Sequence, residues 1–176
     1  MITFIIAVVV FLLLIIVLLQ LKKYLDIVDK EFKPNEKIIG DKENKNKALV
    51  LYSPSLHDSV DVVKTYIVEK LHDKGYTVFS NFPSTEFRYN LDEFGVVCFI
   101  SPVYMRKISS QLSEVMVSSD FKGKKVLIVS VGKEMSVKEE LEYMKNLLNK
   151  DNEFNLLKTT KEEKKKIEDF VCGAIL

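Results

Sequence analysis

Val96-Val97-Cys98-Phe99-Ile100-Ser101-Pro102-Val103-Tyr104-Met105-Arg106-Lys107-Ile108 is the stretch whose reading decides the fold. Five apolar residues in succession, with no polar alternation, describe a strand buried on both faces. Ser101-Pro102 closes the run and a polar loop follows. Beyond the loop, Ile108, Leu112, Val115 and Met116 recur at helical spacing. Strand, loop and helix in that order make half of a βαβ unit.

The same alternation continues on both sides. Ala48-Leu49-Val50-Leu51-Tyr52 is a short buried-strand run, and Asp58 to Lys74 follows with Val60, Val63, Ile67 and Leu71 at helical spacing. Gly75 closes that helix. Tyr76 to Phe79 reads as the second strand, and residues 96–100 as the third. Lys125 to Ser130 reads as the fourth, around Val126-Leu127-Ile128-Val129, and Phe154-Asn155-Leu156-Leu157 as the fifth. Ser136 with Glu139, and Thr160 with Glu163, have the spacing of capping boxes that open two further helices. The last helix turns Ile167, Phe170, Val171 and Ala174 inward. Only Ser80 to Glu93 carries no helical pattern. Alternating strands and helices imply right-handed crossovers and a parallel sheet covered on both faces, an α/β three-layer sandwich of five strands.

Further out lies a segment of another kind. The chain has 176 residues, with 26 Lys and Arg against 25 Asp and Glu, yet residues 1–21 hold no charged side chain and only Thr3 and Gln20 depart from the apolar set. As a helix, Ile2 to Leu21 spans about 30 Å, the thickness of a hydrocarbon core. A cleaved signal peptide would need a basic start, a shorter apolar run and a small-residue cleavage site, and none is present. The segment therefore reads as an uncleaved transmembrane anchor. Lys22, Lys23 and Lys30 follow the span, which places the rest of the chain in the cytoplasm of a single-pass membrane protein. Residues 24–33 are expected to prolong the helix as far as Pro34. Asn35 to Lys47, of mixed charge, reads as a solvated linker. The organisation is then an anchor at 1–21, a juxtamembrane segment at 22–47 and an α/β domain at 48–176.

Ligands of such sheets bind at the carboxyl ends of the strands, which here gives three loops. The first is Ser53-Pro54-Ser55-Leu56-His57-Asp58-Ser59, where hydroxyls precede a helix N-terminus able to receive a phosphate. Equally, Asp58 or Ser59 simply caps that helix. The second loop is Ser101 to Lys107 and the third is Val131-Gly132-Lys133-Glu134. Neither G-x-x-x-x-G-K-[ST] nor G-x-G-x-x-G occurs. No G-x-S-x-G elbow supports a hydrolase using His57 or His72. Two His and two Cys, widely separated, show no metal-ligand spacing. Near-neutral net charge gives no support to nucleic-acid binding. Cys98 and Cys172 both lie in apolar runs, where a buried small hydrophobe is the simplest role.

Residues 48–59, the run Phe99-Ile100-Ser101-Pro102-Val103-Tyr104-Met105-Arg106-Lys107-Ile108-Ser109-Ser110-Gln111-Leu112, and Phe121-Lys122-Gly123-Lys124-Lys125-Val126 together resemble flavodoxin-like proteins. Related flavoproteins carry a strand, S-P-V-Y-x-G-x-x-S, a helix, and F-x-G-K-K-V before the next strand. The resemblance covers 48–172 and implies sheet order 2-1-3-4-5 with FMN on the three loops. It implies phosphate contacts from Ser53, Ser55, His57 and Ser59. It also places Ser101, Pro102, Val103, Tyr104, Met105 and Arg106 along the flavin ring, with Val131 and Gly132 at the ring's other edge. The implied activity is electron transfer with an unspecified redox partner or membrane acceptor. Two departures stand out. The phosphate loop lacks the family's glycine and has Asp58 in it, and Arg106 replaces a glycine after S-P-V-Y-x. They leave a second reading open, a domain of this fold that has lost FMN and serves as a membrane-tethered interaction module.

Overall fold

Apolar runs of five to seven residues become the strands, and the helical patterns between them fold back over both faces of one sheet. The computed structural model describes residues 1–84, 89–104, 107–133, 139–148 and 151–175, with the side chains of residues 2 and 3 left out. Helix α1 (Ile2–Val28) comes first, then the short strand β1 (Lys37–Ile39). Next are β2 (Lys47–Tyr52), α2 (Ser59–Asp73), β3 (Thr77–Asn81) and β4 (Phe94–Pro102). The chain ends with α3 (Ser110–Ser118), β5 (Lys125–Val131), α4 (Glu139–Asn146), β6 (Glu153–Thr159) and α5 (Lys164–Ile175).

The sheet has six strands in the order β1-β3-β2-β4-β5-β6. Its five parallel strands keep the expected 2-1-3-4-5 order, so the α/β sandwich stands, but the strand count of five does not. The sixth strand, β1, pairs antiparallel with the outer edge of β3, Ile38 opposite Phe79. It lies inside the stretch read as a solvated linker. With only Ile38 and Ile39 apolar among charged neighbours, β1 has no periodic signature, and its order comes from pairing with an edge that would otherwise be open.

Two apolar layers hold the sandwich. On one face, Val60, Val63, Ile67 and Leu71 of α2 pack with Ile167 and Val171 of α5 against Val50, Cys98, Leu127 and Val129. On the other, Leu112, Val115 and Met116 of α3 and Leu141 and Met144 of α4 cover Leu51, Phe99, Val126 and Ile128. All four α2 residues are fully buried, and each such side chain contributes about 1.5–3 kcal/mol relative to exposure. Gly75, with φ of +86°, terminates α2. Tyr76 N–H donates to the Leu71 carbonyl and Gly75 N–H to that of His72, the paired bonds of a Schellman motif. Cys98 is buried as expected, while Cys172 is only half-buried.

Helix α1 differs from the others. Residues 4–20 are exposed all round, so no core surface is formed by the apolar stretch, and the helix is long and apolar enough to cross a membrane. It ends at Val28, with Asp29 as C-cap, and not near Pro34 as the sequence suggested. The cause is tertiary. Phe32 N–H donates to Gln111 Oε1 at 2.9 Å, Gln111 Nε2 donates to the Phe32 carbonyl at 3.1 Å, and Asn35 N–H donates to Asn81 Oδ1 at 2.7 Å. These bonds take backbone groups that a continued helix would use.

Candidate functional site

Each parallel strand ends at its carboxyl edge in a buried polar residue: Asn81, Ser53 (just after β2), Ser101, Ser130 and Thr159. Parallel strands aligned in register bring these ends together. Val50 pairs with Cys98, Cys98 with Leu127 and Leu127 with Asn155, so the loops that follow sit side by side.

The first loop is held from within. Ser53 N–H donates to the Ile100 carbonyl at 3.0 Å, which prolongs the β2–β4 ladder by one step. Ser53 Oγ is buried and has no hydrogen-bond partner among the described residues. Ser55 hydroxyl donates to the His57 carbonyl, lies 3.3 Å from Ser59 Oγ, and accepts from Val60 N–H at 3.3 Å. Leu56 N–H donates to the Tyr104 hydroxyl at 2.7 Å, tying the first loop to the second. Asp58 occupies the N-cap of α2 without a side-chain capping bond. Its carboxylate pairs instead with Lys161 Nζ at 2.7 Å, and that bond holds the Asp58 carboxyl below its ordinary range and raises the Lys161 ammonium.

In the second loop, Ser101 Oγ donates to the Pro102 carbonyl and accepts from Ser109 N–H, so it shapes the turn into α3. Pro102 pairs with Val131 within the sheet, and Val103 N–H donates to the Val131 carbonyl at 3.3 Å. Tyr104 and Lys107 exchange two backbone hydrogen bonds of 3.0 and 2.9 Å. Met105 and Arg106 lie outside the described residues. Burial raises the Tyr104 phenol above its ordinary range, partly offset by the bond from Leu56. The third loop starts from Val131, and Gly132 N–H donates to the Thr159 carbonyl at 3.0 Å.

Two adjoining cavities open here. One, of about 290 Å³, is lined by His57, Asp58, Ser59, Gly132, Lys133, Thr160 and Lys161 among others. The other, of about 410 Å³, is lined by Tyr24, His57, Val103, Tyr104 and Lys133. His57 and Lys133 border both, so the two adjoin as the parts of one cleft region, each near the size ligand sites have. The first, at a helix N-terminus, is lined by hydroxyls, amines and the carboxylates of Asp58 and Glu162; the second has two aromatic rings. His57, Ser59, Val103, Tyr104, Val131 and Gly132 thus border the cleft directly, while Ser53, Ser55, Ser101 and Pro102 do not line it.

Four contributors were not singled out from the sequence. Thr160 was read only as a cap, and Lys161 stands beside it in a charged run. Tyr24 is hidden in an apolar helix. The last is a buried pair, Lys158 Nζ to Glu140 Oε1 at 2.6 Å, with Ser130 Oγ donating to the same oxygen at 2.9 Å. Both carboxylate and ammonium are almost wholly buried. The Thr160–Glu163 spacing does form its capping contact, Thr160 N–H to Glu163 Oε2 at 2.9 Å. Ser136 lies outside the described residues.

Comparison with protein-family models and with curated proteins gives no match. Solved structures do match. A flavodoxin of Streptococcus pneumoniae TIGR4 aligns at TM-score 0.58 and 13% identity, over 73% of this chain and 97% of its own. Oxidised flavodoxin 2 of Bacillus cereus aligns at 0.54 and 16%, over 73% and 95%. A flavo di-iron protein variant of Thermotoga maritima aligns at 0.53 and 20%, over 73% of this chain but 35% of its own. At these identities the likeness concerns the fold. With one added edge strand and a long apolar helix in front, this chain has a flavodoxin-like α/β fold.

Proposed function

We propose that the chain is a membrane-anchored flavodoxin-like protein that binds FMN in the cleft between its three loops and passes electrons at the cytoplasmic face of the membrane. The observation that carries this reading is the two-part cleft at the carboxyl edge, beside a loop whose Ser53 Oγ is buried with no hydrogen-bond partner among the described residues. The donor set suits a phosphate monoester. Ser59 and Thr160 offer hydroxyls, Lys133 offers an amine, and the N-terminus of α2 adds its dipole. Two carboxylates of the lining, Asp58 and Glu162, oppose an anion, and Lys161 offsets the charge of Asp58. Tyr104, Val103 and Tyr24 supply the apolar surface a flavin ring requires. Bound FMN supplies the electron transfer, and the protein sets its potential through ring contacts and nearby charge. Orientation rests on Lys22, Lys23 and Lys30 after the span.

The test is direct. The full chain, purified in detergent and incubated with FMN, is expected to retain it at one per chain with visible flavin absorption. A protein that stays colourless at saturating FMN overturns the reading. One observation favours the second reading, a tethered interaction module without cofactor: the first loop's donors already meet within the protein, Leu56 N–H on Tyr104 and Val60 N–H on Ser55. The same titration decides between the two.

A further inference from the structure

Helix α1 touches the domain along a narrow stripe. Through the span its residues are exposed, but Leu21, Tyr24 and Ile27 are half-buried and Val28 is buried. These positions recur at helical spacing, so one face of the last two turns lies on the domain. The Tyr24 ring is 5.3 Å, centroid to centroid, from that of Tyr104, with 32° between planes. Just beyond, Ser110 hydroxyl donates to Asp29 Oδ1 at 2.7 Å. Phe32 is bonded both ways to Gln111 and lies 5.6 Å from the Phe82 ring. Residues 24–35 are thus fixed to the carboxyl edge at four points, on the rim that carries the cleft. Tyr24 stands three residues past Leu21, about 4.5 Å along the helix, at the depth where Tyr and Trp favour the membrane interface.

From this arrangement we infer that Tyr24, on the juxtamembrane end of the anchor helix, is the outer wall of the flavin-ring cavity, so that this helix and the cofactor site form one unit. The inference rests on the FMN reading above. Tyr24 and Tyr104 line the 410 Å³ cavity together, and Tyr104 is in turn bonded to the phosphate-side loop through Leu56. A planar ring entering the cavity meets Tyr24 on the anchor side. The consequence is a cofactor held at the headgroup layer, and a site that is incomplete without the helix that reaches it. Tyr24 acts through its aromatic surface, so phenylalanine substitutes for it and alanine does not.

The chain contains no tryptophan, so Tyr24→Trp places a lone fluorophore at the wall. In full-length protein in lipid nanodiscs, this tryptophan is expected to be shielded from acrylamide. Adding Tyr104→Ala is expected to expose it, and FMN is expected to quench it saturably. In parallel FMN titrations by absorption, Tyr24→Ala is expected to bind at least ten-fold more weakly and Tyr24→Phe within about three-fold of wild type. A freely quenched tryptophan overturns the inference whether or not flavin binds. Flavin bound without tryptophan quenching, or Tyr24→Ala binding as well as or better than wild type, also overturns it while leaving the FMN reading intact. Absence of flavin bands in wild type and variants alike overturns both, and shielding of the tryptophan then leaves only the docked anchor.

Discussion

The two edges of the sheet are built differently. At the amino edge the strands start from Lys47, Thr77, Phe94, Lys125 and Glu153, and ordinary devices close them. Gly75 completes a Schellman turn, Lys47 meets Glu93 at a partly exposed ion pair, and the Thr77 hydroxyl donates to the Asp41 carbonyl. At the carboxyl edge, polar residues are buried at or next to the end of every parallel strand, one hydroxyl lacks a partner among the described residues and an ion pair is almost fully enclosed. Burying such groups costs free energy that apolar residues of similar volume would not. A fold satisfied by the amino edge's means does not need the carboxyl edge's chemistry. Where local rules are broken, function is the usual compensation.

The sharpest way to break this contrast is the buried pair. Removing the ammonium with Lys158→Met leaves the Glu140 charge enclosed without its cation, and is expected to lower stability by about 3–5 kcal/mol, read from urea unfolding by circular dichroism. Adding Glu140→Leu is expected to restore most of that loss, because two apolar groups need no partner. A loss below about 1 kcal/mol would mean the pair is solvated in solution, and the edges would then be alike. The same carboxylate gives a pH signature. Burial is the largest single influence on Glu140 and raises it, but the bonds from Lys158, from its own backbone and from Ser130 together hold it below its ordinary value. A depressed carboxyl contributes stability that is present above the unfolded value, about 4.3, and lost as pH falls through the folded one. Thermal unfolding of the wild type is therefore expected to drop as pH goes below about 4, more steeply than in Glu140→Gln. Parallel curves for the two proteins would remove the carboxylate from the account.

What the sequence could tell divides along the same line. The five parallel strands and their helices were legible because period and continuity are properties of local sequence. Strand β1 was not, since Lys37-Ile38-Ile39 is ordered only by the edge of β3. Three loops were located by position, the second of them also by motif, which brought His57, Ser59, Val103 and Tyr104 to the cleft. Tyr24 was invisible because it follows Lys22 and Lys23 in an ordinary juxtamembrane turn, and what distinguishes it is a ring on another element. Glu140 and Lys158 each look like surface charges in charged surroundings. Nothing local says that one faces the other inside. Partners distant in sequence are what such a reading misses, and the carboxyl edge is made of them.

A smaller effect probes the amino edge. Gly75 has φ of +86° and open space where a Cβ would stand. Gly75→Ala is therefore opposed by backbone strain alone, and is expected to cost about 1–2 kcal/mol with no change in FMN binding. The measurement is urea unfolding beside an FMN titration of the same sample. A change in flavin affinity would show the two edges to be coupled through α2, whose other end borders the cleft.

The smallest stability effect, with the most to say about the contrast, is expected at Ser53. Its hydroxyl is buried in the loop that follows β2 and makes no hydrogen bond among the described residues. Removing a buried group that has no partner relieves a desolvation cost, so Ser53→Ala is expected to leave stability unchanged or raise it by about 1 kcal/mol. If the hydroxyl is retained for a ligand, the same change is expected to weaken FMN binding about ten-fold, the worth of one charge-assisted hydrogen bond. Stability and affinity then move in opposite directions, which a residue serving only the fold cannot do. Destabilisation of 1 kcal/mol or more with unaltered affinity would assign Ser53 to packing and return the carboxyl edge, at this position, to the same physics as the amino one.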